Sequence, residues 1–148
     1  MSQYIRYARL PIVLMVIFVI ARLILGASGV SYEKGTWFFS LVMLTYFSAF
    51  FFGAFSRRLS GYSWKQAMML GATIAICAQV MILLMTLISY LAGTQTYFNN
   101  PIALNQAETV SLGQALVGRL FGLVVNTIIS GIIGIIGWSA GKLIPERS

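Results

Sequence analysis

The sequence predicts an all-α fold: an integral membrane bundle of four transmembrane helices with both termini on the cytoplasmic side. Three observations lead there. Of 148 residues, 59% are apolar and 9% are charged, against usual values of roughly 45–50% and 25%. The apolar residues gather into four long runs, and the basic residues gather in alternate gaps between them. So little polar surface excludes a soluble globular domain, and so little charge excludes a disordered chain.

A transmembrane helix needs ~20 predominantly apolar residues. The first run, 11–27, is interrupted only by Arg22. Pro11 suits its first turn, and Gly26 and Gly29 suit its exit. The second run, 36–55, carries no charge and is aromatic, with Phe47, Phe51 and Phe55 repeating at i+4. Such density suits lipid, a packed partner, or a flat pigment or quinone. The third run, 66–92, is also uncharged, and the fourth, 112–141, carries Arg119. Barrel strands alternate in polarity over ~10 residues, whereas these runs are continuous. The connections 28–35 and 56–65 are short. The connection 93–111 is long and polar, with turn signals at Asn99-Asn100-Pro101. Ser111 and its neighbours offer acceptors to begin the fourth helix. Residues 1–148 thus read as a single membrane domain without an internal repeat.

The formal net charge of +7 is unevenly placed. Arg6 and Arg9 precede the first run; Arg57, Arg58 and Lys65 separate the second from the third; Lys142 and Arg147 follow the fourth. If all four runs span, these lie on one side, facing only Lys34, Glu33 and Glu108 on the other. By the positive-inside bias, both termini are cytoplasmic, the membrane is the plasma membrane, and 93–111 is the outer loop. A basic inner face attracts anionic headgroups, which accounts for the charge without a nucleic-acid partner. Tyr4, Tyr7, Trp64 and Trp138 fit the inner interface, and Trp37, Tyr90 and Tyr97 the outer one. Arg6 and Arg9 before an apolar run that ends in Ala27-Ser28-Gly29 also resemble a cleaved signal peptide. Arg22 inside the run favours a retained helix.

The missing residues exclude much chemistry. There is no histidine and one cysteine, Cys77, so His-ligated zinc, bis-His haem, Cys-His or Ser-His-Asp catalysis and internal disulfides are out of reach. The three acids, Glu33, Glu108 and Glu146, never share an apolar run, which leaves no buried acid/base pair. No metal, no cofactor and no enzymatic activity are expected.

Three constellations remain. On the fourth run, Gly118, Gly122, Ser130, Gly134, Gly137 and Gly141 fall largely on one side of a helix, opposite Phe121, Val124, Ile128, Ile132 and Ile135. Their GxxxG-type spacing allows close backbone approach, as a packing or oligomer seam. Arg22 and Arg119 should share one depth in the outer leaflet, where each either snorkels, pairs with Glu33 or Glu108, or helps hold an anion. Gln79 and Asn126 sit at the midpoints of their runs, where an unpaired amide is costly. They should bond to each other or to a polar ligand.

The first functional reading is a non-catalytic accessory or assembly subunit of a larger membrane complex, surrounded by lipid and by other subunits or copies of itself. The alternative is an oligomeric carrier, channel or binder for a lipid or amphipathic anion, with Arg22, Arg119, Gln79 and Asn126 as the binding residues.

Overall fold

A computed structural model describes residues 2–144, which are helical with no strand among them. A short helix α1 (Ser2–Tyr7) leads into α2 (Arg9–Ala27), and α3 (Tyr32–Phe38) leads into α4 (Leu41–Ser60). Helix α5 (Trp64–Leu91) is joined to α6 (Leu112–Ala140) by a loop holding one 3-10 turn at Ile102–Leu104; a second such turn, Gly141–Leu143, follows α6. Four helical stretches are long and apolar enough to cross a membrane: Arg9–Ala27, Tyr32–Ser60, Trp64–Leu91 and Leu112–Leu143.

The ends of these helices follow local chemistry. Ser63 caps α5 and Ser111 caps α6, each with a glutamine three residues on (Gln66, Gln114) that returns a bond to the cap backbone. Two otherwise orphaned N–H groups are satisfied at each start. Helix α4 ends on Gly61 at φ 61°, in the left-handed region that glycine enters at little cost. Arg57 and Arg58 occupy its last turn, where the helix dipole favours cations.

The second run departs from expectation. It is not one helix from 36 to 55: the chain breaks at Phe39, and α4 begins at Leu41 and continues to Ser60. Ser40 starts the new helix by accepting from the Met43 N–H at 3.4 Å. The break leaves the Phe39 carbonyl outside the helical ladder, and the Arg22 guanidinium donates to it at 3.1 Å.

Helices α4 and α6 run parallel, with α5 antiparallel to both. Tyr46 meets Asn126 near one end of the contact, and Ala54 meets Gly141 near the other. The closest approach is built on glycine from both sides. A Cβ on Gly134 would lie 2.6 Å from the Ala67 carbonyl oxygen, and one on Gly141 would lie 2.6 Å from that of Ala54. Cβ atoms on Gly137, Gly53 and Gly71 would run into the backbone of Phe50, Gly134 and Ser130 respectively. Gly53 and Gly71 complete the seam from α4 and α5, and the reading of α6 alone did not include them. Gly118 and Gly122 take no part in this intramolecular seam. Nothing lies within 4 Å of a Cβ on Gly118, and only the amides of Asn126 and Gln79 approach Gly122. Helices α4 and α6 therefore close tightly toward their C-terminal ends and diverge toward their N-terminal ends. Phe121, Val124, Ile128 and Ile132 are exposed on the opposite side.

Helix α2 leans on this trio through Met15 and Val19, which join Leu41 of α4 and Leu70, Ile74, Ala78 and Ile82 of α5 in the core. Phe98 belongs to the same core although it comes from the polar connection. Thr96, Tyr97 and Phe98 are buried, so the early part of 93–111 dips between the helices, and Tyr97 is packed inside the protein rather than on its surface. The Asn99 side chain organises the dip, accepting from the Thr96 N–H at 2.8 Å and donating to the Thr94 carbonyl at 2.9 Å. Gly26 and Gly35 make room for it, since a Cβ on Gly26 would lie 2.6 Å from the Tyr97 nitrogen and one on Gly35 would strike the Tyr97 ring.

Candidate functional site

The end of the bundle where this loop dips holds both arginines. Arg22, at the penultimate turn of α2, is 7% exposed and does not snorkel. Its guanidinium lies 5.5 Å from the ring centres of Tyr32 and Tyr97 and 5.7 Å from that of Phe98. That is cation–π range. The Phe39 carbonyl takes one Nη donor, and the buried Nε–H has no partner. Arg119, two turns into α6, is held from three directions. Its Nε donates to the Thr86 hydroxyl at 3.2 Å, and its two Nη atoms donate to the carbonyls of Ala103 at 3.3 Å and Phe98 at 2.8 Å. The single Thr86 hydroxyl proton is shared between the Ile82 carbonyl at 2.8 Å and the Phe98 carbonyl at 3.2 Å.

Both arginines line one cavity of about 110 Å³, with Tyr32, Thr36, Ser40 and Ala103 among its other walls. Every direct partner of the two guanidiniums is neutral, and neither pairs with Glu33 or Glu108. Guanidinium stays charged in proteins, and a charged side chain at a bilayer centre costs at least ~2.5–3.5 kcal/mol. Carbonyls and ring faces offset part of that cost but supply no countercharge. The cavity is therefore strongly electropositive and sized for a small anionic group.

Two larger spaces adjoin it. An apolar groove of about 680 Å³ between α2, α3 and α4 is lined by Phe18, Trp37, Phe38, Met43 and Phe47, with Glu33 on its wall. Tyr32, Thr36 and Ser40 border both the groove and the arginine cavity. On the other side, the divergence of α4 and α6 opens a chamber of about 350 Å³ lined by Gln79, Gly118, Arg119, Gly122 and Asn126. Val42, Ile82, Ala103 and Arg119 border both the chamber and the arginine cavity.

The four residues singled out as binding residues thus meet around two adjoining spaces, with Arg119 common to both. The expected Gln79–Asn126 bond is absent. The Tyr46 hydroxyl donates to Asn126 Oδ1 at 2.6 Å, and Asn126 Nδ2 donates back to the Gly122 carbonyl at 2.8 Å. Gln79 has no hydrogen-bond partner, although it is 5% exposed. The sequence reading missed Tyr46, a lone hydroxyl among phenylalanines, and the Tyr97-Phe98 pair, two aromatics inside a polar connection. Both were visible as exceptions to their surroundings. Among the described residues, no group of three or more His, Cys, Asp or Glu could hold a metal ion. No family model matches the chain, and no curated protein or solved structure shows significant similarity to it.

Proposed function

We propose that this protein is a non-catalytic, membrane-embedded binder of an anionic amphiphile, with the charged group held between Arg22 and Arg119. One observation carries the reading: the buried guanidinium of Arg22 and the half-buried one of Arg119 share a small cavity, and no carboxylate among the described residues pairs with either. The adjoining apolar groove supports an amphiphile over a soluble anion, because a chain attached to the bound group finds apolar walls there. The accessory-subunit reading rests on small size, missing catalytic groups, the glycine seam and the aromatic helix, and none of these accounts for two guanidiniums without a countercharge.

Retention of lipid tests this directly. Wild-type protein extracted from membranes in mild detergent should carry anionic lipid in native mass spectra, and the Arg22→Gln/Arg119→Gln double variant should lose it while eluting at the same size. Stoichiometric recovery of unrelated subunits, with no lipid on the wild type, would return the accessory reading to first place.

The charge bias gives the site its place in the cell in this reading: both termini in the cytoplasm, and the arginine cavity in the outer leaflet of the plasma membrane. On a Cys77→Ala background, a cysteine at exposed Gln106 should react with an impermeant thiol reagent added to intact cells. A cysteine at exposed Leu59 should react only after permeabilisation. The opposite pattern would move the site to the inner leaflet.

A further inference from the structure

We infer that the Gln79 chamber is a subsite for hydroxyl groups, and that the ligand is an anionic lipid with a polyhydroxylated head, of the phosphatidylglycerol class. This rests on the anion-binding reading and adds the identity of the head.

The first support is Gln79 itself. The residue as a whole is 5% exposed, and its side chain lines the chamber and has no hydrogen-bond partner. An amide that faces an internal chamber without a protein partner leaves its hydrogen-bonding capacity unused, so the position makes sense when something in the chamber bonds to it. Two other polar side chains on the chamber are already engaged: Asn126 by Tyr46 and Gly122, and Arg119 by Thr86, Ala103 and Phe98.

Size and position come next. At about 110 Å³ the arginine cavity holds a phosphate or carboxylate, whereas the chamber beyond Arg119 is about 350 Å³. Gly118 and Gly122 keep it open, and Gly118 has no packing contact that would otherwise explain a glycine there. Gln79 precedes Thr86, the Arg119 partner, by two turns of α5, about 10 Å along the axis. Arg119 and Gln79 line the chamber together, so a polyol attached to an anion at Arg119 projects toward the amide. Annular lipid would not carry its head there.

The chemistry of the walls selects among heads. An amide offers both a donor and an acceptor, and Asn126 retains one free N–H. A hydroxyl also donates and accepts, so glycerol hydroxyls complement these groups. A quaternary ammonium head does neither, and the charge of Arg119 repels any cationic head. Phosphatidylcholine and phosphatidylethanolamine are thereby disfavoured, although they share the phosphate.

Native mass spectrometry of the delipidated full-length protein, titrated with defined lipids, tests the inference. Phosphatidylglycerol should bind the wild type at least about tenfold more tightly than phosphatidylmethanol, which has the same phosphodiester charge and no hydroxyl. Gln79→Leu should reduce that preference to less than about twofold by weakening phosphatidylglycerol alone. Gly118→Leu, which fills the chamber without touching Gln79, should do the same and serves if Gln79→Leu fails to fold. Equal binding of the two lipids by the wild type, or a preference that survives both substitutions, overturns the hydroxyl subsite and leaves the arginine site standing. Binding of neither lipid overturns both. Glycerol 3-phosphate binding as tightly as phosphatidylglycerol overturns the lipid assignment in favour of a soluble polyol phosphate.

Discussion

Gly137→Leu should abolish the folded protein, and Gly118→Leu, on the same helix, should leave it folded. At Gly137 even a methyl group would run into the Phe50 backbone across the α4–α6 contact. A flexible side chain can step aside, but the carbonyl of a packed helix cannot. Overpacking a core typically costs 1–3 kcal/mol and occasionally more. Here the parallel pair must separate, which also parts Gly53 from Gly134 and Ala54 from Gly141. Against a total stability of roughly 5–15 kcal/mol, losing the whole contact is decisive. Gly118 presents the reverse case. A Cβ there meets nothing within 4 Å and the rest of the side chain has the chamber to enter, and leaving glycine gains up to ~1 kcal/mol of helix propensity. Yield and thermal stability by fluorescence-detected size exclusion will separate the two. Equal behaviour of the variants would mean that the glycine seam does not hold α4 against α6.

The contrast also marks what the sequence could reveal. Helical periodicity placed Gly118, Gly122, Ser130, Gly134, Gly137 and Gly141 on one side of α6, and periodicity is a property of a single helix. Whether that side meets a neighbour depends on where α4 and α5 carry small residues of their own, at Gly53 and Gly71, and on the angle that results. Those are pairwise facts, absent from any one segment. The four apolar runs were legible because each satisfies its own backbone and needs no partner to be recognised. The break at Phe39 was not, because Trp37, Phe38 and Phe39 continue the apolar run without a proline or glycine between them. Only the Ser40 cap and the tertiary bond from Arg22 distinguish it.

The site was legible in a similar way. Arg22, Gln79, Arg119 and Asn126 stood out as polar groups in apolar runs, and antiparallel topology placed the two arginines at similar depth. Their partners were hidden. A polar loop of nineteen residues, 93–111, ordinarily lies in water, yet this one buries Tyr97 and Phe98 and turns the Phe98 and Ala103 carbonyls to Arg119. The two aromatics supply the apolar area that draws the loop in, and Gly26 and Gly35 supply the space. Gln79 was expected to pair with Asn126 because two amides at mid-membrane invite each other. Tyr46 reaches Asn126 first, which leaves the glutamine for the chamber.

Removing the arginine charges should make the protein indifferent to anionic lipid. A ligand that binds only the folded state stabilises it by RT ln(1 + [L]/Kd), about 2.7 kcal/mol when the ligand is at a hundred times its Kd. Wild type in bilayers containing phosphatidylglycerol should therefore unfold several degrees above wild type in phosphatidylcholine alone. Arg22→Gln/Arg119→Gln should show the same melting temperature in both. Glutamine suits the test because its amide can still donate to the Phe39 and Phe98 carbonyls, so the change is chiefly one of charge. In phosphatidylcholine the double variant should match or exceed the wild type, because holding a buried and a half-buried like charge together without a counterion costs stability that the variant no longer loses. Arg119→Lys should fall between: the charge stays, but an ammonium lacks the planar fork that addresses Thr86, Ala103 and Phe98 together. Had the arginines been structural clamps alone, neutral carbonyls and rings would be their whole purpose. The double variant would then melt lower by a similar amount in both bilayers, and wild type would not distinguish the lipids. That pair of results would remove the anion from the site.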